Sequence, residues 1–303
     1  MKIEKYIEEN FKLENLVSQN SENLEDIKNF YPHAKSDAIC CYKKISNYIK
    51  KNSKILEVGG GIHLLTNYLN QKYDITSIEP GGFTVYEEEI RNQILKKSNL
   101  NIHTVALEHF ETTEKYDFIF SMNVLEHTKD INLHIKSCIK LLKNENSVLF
   151  IQCLNYLFPF DTHFYEFFIP FAPKFTFQRL KKNKLVKKLG KEKYNNILKN
   201  LNFDCNYNFI KKIDSSINFK NPIKEIFNRI SEDEQYRKKI SKNYFLKITY
   251  KVIMLLKIKK VLFKIFPKSI FPYLIFSIKK NSSDHTKILD TVPRISTIQI
   301  ERQ

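Results

Sequence analysis

Two groups of side chains in this 303-residue chain have the types and spacing for group-transfer chemistry. The first is a pair of imidazoles with a carboxylate. Glu126 and His127 are adjacent, and His163 follows in an aromatic stretch. An imidazole needs only a small shift to take a proton near neutral pH. His127 or His163 is therefore a candidate general base, with Glu126 orienting the ring. The second group is Lys54-Ile-Leu-Glu-Val-Gly-Gly-Gly61, a short apolar run ending at Glu57 and a turn holding three of the six glycines. Lacking a Cβ, Gly59, Gly60 and Gly61 let another molecule approach the backbone. Leu64, Leu65, Tyr68 and Leu69 follow at helical spacing. Strand, glycine turn and helix make the first βα unit of a nucleotide-binding fold.

The flanking acids select the kind of nucleotide. Gly59-x-Gly61-x-x-Leu64 lacks the third glycine of a dinucleotide fingerprint. Glu57 would repel a pyrophosphate but attract an ammonium or sulfonium. The next strand pattern, 73–79, ends at Glu79, a carboxylate placed to accept both ribose hydroxyls. Residues 116–127 then read as a strand running into the polar turn Ser121-Met-Asn-Val-Leu-Glu-His127.

In this order the three segments resemble class I S-adenosylmethionine-dependent methyltransferases, in particular the branch with Asn-Val-Leu-Glu-His after the fourth strand. The resemblance covers roughly residues 30–170 and extends more weakly to 283. It implies S-adenosylmethionine as cofactor, its ammonium at Glu57, its amino-acid end among Gly59, Gly60 and Gly61, and its ribose at Glu79. Relatives often bind the adenine amino group with an Asp after the third strand. This chain has Ala106 and Leu107 there, so adenine contact passes to backbone groups or to Glu108. Pro80, Leu107, Ser121, Met122 and Asn123 complete the implied cofactor set. Asn123-x-x-Glu126-His127 also looks like the Glu-x-x-Glu-His metal site of some quinone-precursor and small-RNA O-methyltransferases. With His163, one carboxylate and two imidazoles could hold Mg²⁺, Mn²⁺ or Zn²⁺. Asn123 replaces the first carboxylate, however, so a divalent metal is not favoured and no metal ligand is assigned.

The elements that must position these groups follow from periodicity. Residues 1–30 read as a helical cap, broken at Phe30-Tyr31-Pro32-His33, with a second helix over 36–49. Tyr31 could lie over a cofactor or pack in the core. Strands are expected at 101–106, 117–120 and 147–153, and helices at 85–96 and 131–142. Prolines at 159, 170 and 173 exclude a continuous helix from the aromatic run 155–174, which follows the fifth strand where open α/β sheets build their substrate crevice. That run resembles a segment of methyltransferases encoded with surface-polysaccharide genes. Residues 175–202 read as basic helix, 203–213 as a sixth strand, 218–266 as an inserted helical pair and 273–279 as a closing antiparallel strand. The expected fold is thus α/β: a Rossmann-like seven-stranded sheet, mostly parallel, with an antiparallel last strand and a basic helical insertion. It occupies 31–283, with a flexible tail over 284–303.

Charge is uneven along the chain. Residues 1–173 carry 19 Lys and Arg against 23 Asp and Glu, whereas 174–303 carry 31 against 10. Such asymmetry suggests an anionic partner: a phosphorylated or lipid-linked substrate, a membrane surface met by the basic helix around 239–264, or nucleic acid. AT-rich coding would also supply lysines. Five cysteines without a Cys-x-x-Cys pair suggest a reduced, cytoplasmic protein, and neither a signal peptide nor a transmembrane run is expected. The expected activity is O-methylation of a sugar or other hydroxyl compound of surface-glycan or lipid-linked synthesis. RNA 2′-O-methylation is the alternative enzyme. Neither Asn-Pro-Pro-Tyr, for base-amine chemistry, nor Pro-Cys, for attack on a pyrimidine, follows the fourth strand, so among RNA targets a 2′-hydroxyl is the one that remains. A non-catalytic cofactor-fold adaptor at a membrane is the alternative from another class.

Overall fold

The computed structural model describes residues 1–82, 84–164, 166–169, 171–214, 216–241 and 267–280. The helix expected around 239–264, most of the inserted pair, and the tail lie outside these residues. The chain opens with α1 (Ile3–Asn10) and α2 (Leu24–Ile45). It then alternates β1 (Lys54–Val58), α3 (Leu64–Asn70), β2 (Asp74–Ile78), α4 (Val85–Lys96), β3 (Asn101–His103), β4 (Phe118–Met122), α5 (Ile131–Leu141) and β5 (Val148–Leu154). A hairpin of β6 (Phe160–Asp161) and β7 (Glu166–Phe167) follows, then α6 (Pro173–Phe175), a π turn (Thr176–Leu180), α7 (Lys182–Leu189), α8 (Lys191–Asn200) and α9 (Tyr207–Lys211). The described chain ends with β8 (Asn218–Lys220), α10 (Ile223–Glu232), α11 (Glu234–Ser241) and β9 (Tyr273–Lys279).

The main sheet has seven strands in the order β3-β2-β1-β4-β5-β9-β8. All are parallel except β9, which pairs antiparallel with both β5 and β8. Side chains alternate across each strand, so the sheet feeds two cores. Ile55, Phe118, Phe120 and Phe150 face the cluster covered by α1 to α4; Leu56, Ile119, Leu149 and Ile151 face the one covered by α5, α7 and α8. The fold expected from the sequence is the one found.

Three boundaries differ. No break occurs at residues 30–33: α2 runs through Pro32. A proline inside a helix costs about 3 kcal/mol. Burial of Ile27, Tyr31, Ala38, Cys41 and Ile45 along one face offsets that cost, and the Tyr31 hydroxyl donates to the Phe11 carbonyl. Tyr31 is therefore a core residue. The helix that begins in the expected cap thus runs on past residue 30 without a break. The sixth strand is not 203–213. Asn206 accepts from Phe209 N–H at 3.0 Å and caps the short α9, the local hydrogen bonding by which Asn favours helix starts. The edge strand is instead β8, held by Phe219 against Phe276 and Tyr207. The insertion before β9 consequently starts with a strand, and only then continues as α10 and α11.

Candidate active site

The glycine turn crosses the carboxyl edge of the sheet, where β1 lies between β2 and β4. Glu57 is buried at the end of β1. Its Oε2 accepts from the Thr66 hydroxyl and, at 3.0 Å, from the Ser77 hydroxyl. Burial pushes this carboxyl up to about 7, against the pull of those two donors. His63 precedes α3 in the left-handed region, φ 64°, with Nδ1 3.2 Å from Thr66 Oγ1. Burial lowers its imidazole to about 3, so it is neutral. A Cβ on Gly60 would overlap Ser77 Oγ and the His63 ring; one on Gly59, φ +87°, would overlap Val124 Cγ2. The turn is therefore glycine for reasons of space as well as conformation.

Glu79 accepts from the N–H groups of Gly61 (2.9 Å) and Gly81 (3.1 Å), which ties the two glycine turns together. Burial raises its carboxyl against those same bonds. Over the turn lies a cavity of about 430 Å³. Glu57, Gly59, Gly60, Gly61, Met122 and Asn123 line it. Glu79, Pro80, Leu107, Glu108 and Ser121 do not. Leu107 and Ser121 are buried, while Pro80 and Glu108 lie exposed beyond β2 and β3.

The cavity also has walls that sequence reasoning missed: Phe30, His33, Asp37 and Lys44 from α2, Gln152 from β5 and Arg229 from α10. Gln152 was findable, because it is the one polar residue inside the apolar run of β5. It donates to Asn123 Oδ1 at 3.0 Å and accepts from Lys44. Arg229 had no local signal. It pairs with Asp37 and Asp233, while Ser36 donates to Asp233 and Lys43 lies 3.4 Å from Glu232, so α10 roofs the cavity against α2.

Glu126, His127 and His163 converge. One ligand atom from each lies within 4.8 Å of the others, and the imidazole rings are 5.0 Å apart at 85°. Glu126 and His127 sit in a 3-10 turn after β4 (Leu125–His127), while His163 comes from the hairpin after β5. Other groups besides Glu126 hold the rings. Asp161, fully buried, lies 3.3 Å from His163 Nδ1, and it also accepts from Tyr156 OH and from the N–H groups of His163 and Phe164. The Asn200 carbonyl lies 3.2 Å from His127 Nδ1. A carbonyl only accepts, so His127 carries its proton on Nδ1 and presents a free lone pair on Nε2. Desolvation, with His163 adding, lowers the His127 imidazole to about 4. Burial pushes Glu126 up to about 7, and its Oε2 has no hydrogen-bond partner among the described residues.

A second cavity of about 180 Å³ reaches Glu126, Thr162, His163, Tyr236 and Tyr273, and shares His33, Asp37, Asn123 and Arg229 with the first. A large cavity over the glycine turn thus adjoins a smaller polar one lined by Glu126 and His163 of the cluster. The donor set also suits a divalent ion: two imidazoles with their Nδ1 sides committed and one unpartnered buried carboxylate oxygen.

The methyltransferase domain family matches residues 33–207. An uncharacterised protein of Mycobacterium tuberculosis is 35% identical over 114 residues, 36% of this chain and 39% of the relative's length. The ubiquinone biosynthesis O-methyltransferase of Pelagibacter ubique is 31% identical over 186 residues, 54% of this chain and 75% of that one. Among solved structures, the plantazolicin methyltransferase BamL, in complex with a triazolic desmethylPZN analog and SAH, is 15% identical, covering 92% of this chain and 98% of its own with a TM-score of 0.45. The family match spans more than half the chain and contains the glycine turn and the imidazole cluster. The chain belongs to the methyltransferase domain family, with the class I S-adenosylmethionine-dependent fold.

Proposed function

We propose that the chain transfers a methyl group from S-adenosylmethionine to a hydroxyl of a small molecule, a sugar or other hydroxylated compound of surface-glycan or lipid-linked synthesis. The observation that carries this reading is the junction of the two cavities at Asn123, with Glu57 in the larger and His163 in the smaller. In the larger, Glu57 would meet the cofactor's ammonium and the turn's amides its carboxylate. The cofactor supplies the reactive methyl; the protein's part is to hold an acceptor oxygen in line and remove its proton. His163 is suited to the latter, because the buried Asp161 carboxylate beside its Nδ1 steadies the charge that forms when the ring takes that proton. Glu79, Pro80, Leu107, Glu108 and Ser121 remain candidates for the nucleoside end.

A second reading puts a divalent cation at Glu126, His127 and His163, where it would lower the pKa of the acceptor hydroxyl. The unpartnered Glu126 oxygen and the low-lying His127 imidazole favour it. One experiment addresses both readings: methyl transfer from labelled S-adenosylmethionine to a panel of nucleotide sugars and hydroxylated small molecules, before and after chelation. Turnover that survives chelation supports the base reading. Turnover lost and restored by Mn²⁺ or Zn²⁺ supports the metal reading. Labelling of RNA alone would overturn the small-molecule assignment.

A further inference from the structure

Between β7 and α8 the surface departs from the rest of the molecule. Of eight large hydrophobic residues exposed among the described residues, four fall within one short segment: Ile169, Phe171, Phe175 and Leu180. Phe171 is 81% exposed. These side chains stand on backbone that is tied down. Thr176, itself buried, accepts from Ile169 N–H at 3.0 Å and donates to the Ala172 carbonyl at 2.9 Å, and Ala172 N–H returns to the Ile169 carbonyl. Phe171 at the tip takes a positive φ of 63°, an uncommon state for a bulky residue that only surrounding structure maintains. Lys181 N–H donates to the Thr176 carbonyl, closing the π turn.

The charge around this ridge has one sign. From residue 167 to 191 the chain holds eight Lys or Arg and no Asp or Glu. Lys181 and Lys184 pair with Glu166, and Lys188 donates to the Phe164 carbonyl. Lys174, Arg179, Lys182 and Lys187 are exposed and make no ion pair or hydrogen bond among the described residues. Fixed protruding aromatics interleaved with unpaired cations complement an apolar layer under anionic headgroups. A purely apolar partner would leave the cations unanswered, and a polyanion in solution would not bury the phenyl rings.

We propose that the segment from Ile169 to Lys187 docks the protein on an anionic phospholipid surface, with Phe171, Phe175 and Leu180 entering the interface and Lys174, Arg179 and Lys182 meeting the lipid phosphates. β6, β7 and His163 immediately precede this segment in the chain. The inference stands apart from the acceptor's identity, and from the basic segment around 239–264.

Flotation of the full chain with vesicles tests it, using phosphatidylcholine alone and an equal mixture with phosphatidylglycerol. The expected result is binding to the mixed vesicles only, weakened by salt. Phe171→Ser with Leu180→Ser should weaken that binding at least about tenfold. Lys174→Ala with Arg179→Ala should weaken it by about 30-fold. Near-ultraviolet circular dichroism matching the parent chain would show that both variants fold. Absence of binding to either vesicle, or variants that bind as the parent does, would overturn the proposal. So would a parent that ignores lipid but loses a dimer on Phe171→Ser, since the ridge would then cover a second copy.

Discussion

The two ends of the cleft are built by different means. At the glycine turn, the hydrogen bonds of the Glu57 and Glu79 carboxylates are all made within residues 57–81, and most of the donors are backbone or sit on adjoining strands. At the imidazole cluster, Glu126 and His127 come from the turn after β4, His163 and Asp161 from a hairpin, Asn200 from the end of α8 and Arg229 from α10. The first end is set by local geometry, the second by how distant segments pack. This difference explains why one nucleotide-binding turn serves many acceptors: the variable end is assembled from loops that differ without disturbing the strands.

The largest expected effect belongs to the assembled end. His163→Ala should lower turnover by about 10²–10⁴ while leaving affinity for S-adenosylhomocysteine within twofold or so. Asp161→Asn should give a smaller loss with a shifted pH profile, because the imidazole keeps its place but loses its counter-charge. Steady-state kinetics beside calorimetry separates the two ends. Equal losses of turnover and cofactor binding would mean that they are not independent.

At the local end the sharpest handle is the carboxyl of Glu57. Its folded value of about 7 lies above the ordinary 4.5, so the folded state holds the proton more tightly than the unfolded chain. The stability this contributes is complete below about pH 4.5 and is lost as pH rises through 7. The buried His63 and His127 titrate in the opposite sense, but they are common to parent and variant. Glu57→Gln should therefore gain on the parent by about 3 kcal/mol between pH 4.5 and 8 in urea unfolding without ligand. If the ammonium of S-adenosylhomocysteine sits beside Glu57, as proposed, saturating ligand should narrow that gain. A difference that does not change with pH would contradict the assignment.

The smallest effect is expected where the two ends meet. Asp37→Asn weakens the clamp of α10 on α2, but the pair is partly exposed, with Asp37 57% accessible. A loss of about 1 kcal/mol, roughly fivefold in ligand affinity, is the scale for such a pair. A larger loss would make the roof part of the binding site proper.

The same contrast governs what could be read from the sequence. The seven-stranded sheet, Glu57 and the glycines were legible, because periodicity and glycine scarcity are local signals. The convergence of His127 with His163 was legible because both follow neighbouring strands. Asp161 was not, since its value lies in a hairpin whose two-residue strands are too short to show periodicity. Arg229 was not, since nothing in its own helix marks it for a cavity lined from α2. The helix through Pro32 was misread because packing of its buried face outweighed a local breaker, and α9 because a capping Asn decided the structure of a short segment.

On the proposed reading, the glycine-turn cavity holds the amino-acid end of S-adenosylmethionine. Calorimetric titration of S-adenosylhomocysteine into the parent chain and into Gly60→Val tests it most directly. A side chain at Gly60 must displace Ser77 and the His63 ring from the Glu57 network. The expected result is one site per chain, micromolar affinity, and no measurable heat for the variant, whose far-ultraviolet circular dichroism should remain native. No binding to the parent, or equal binding to both, would contradict it.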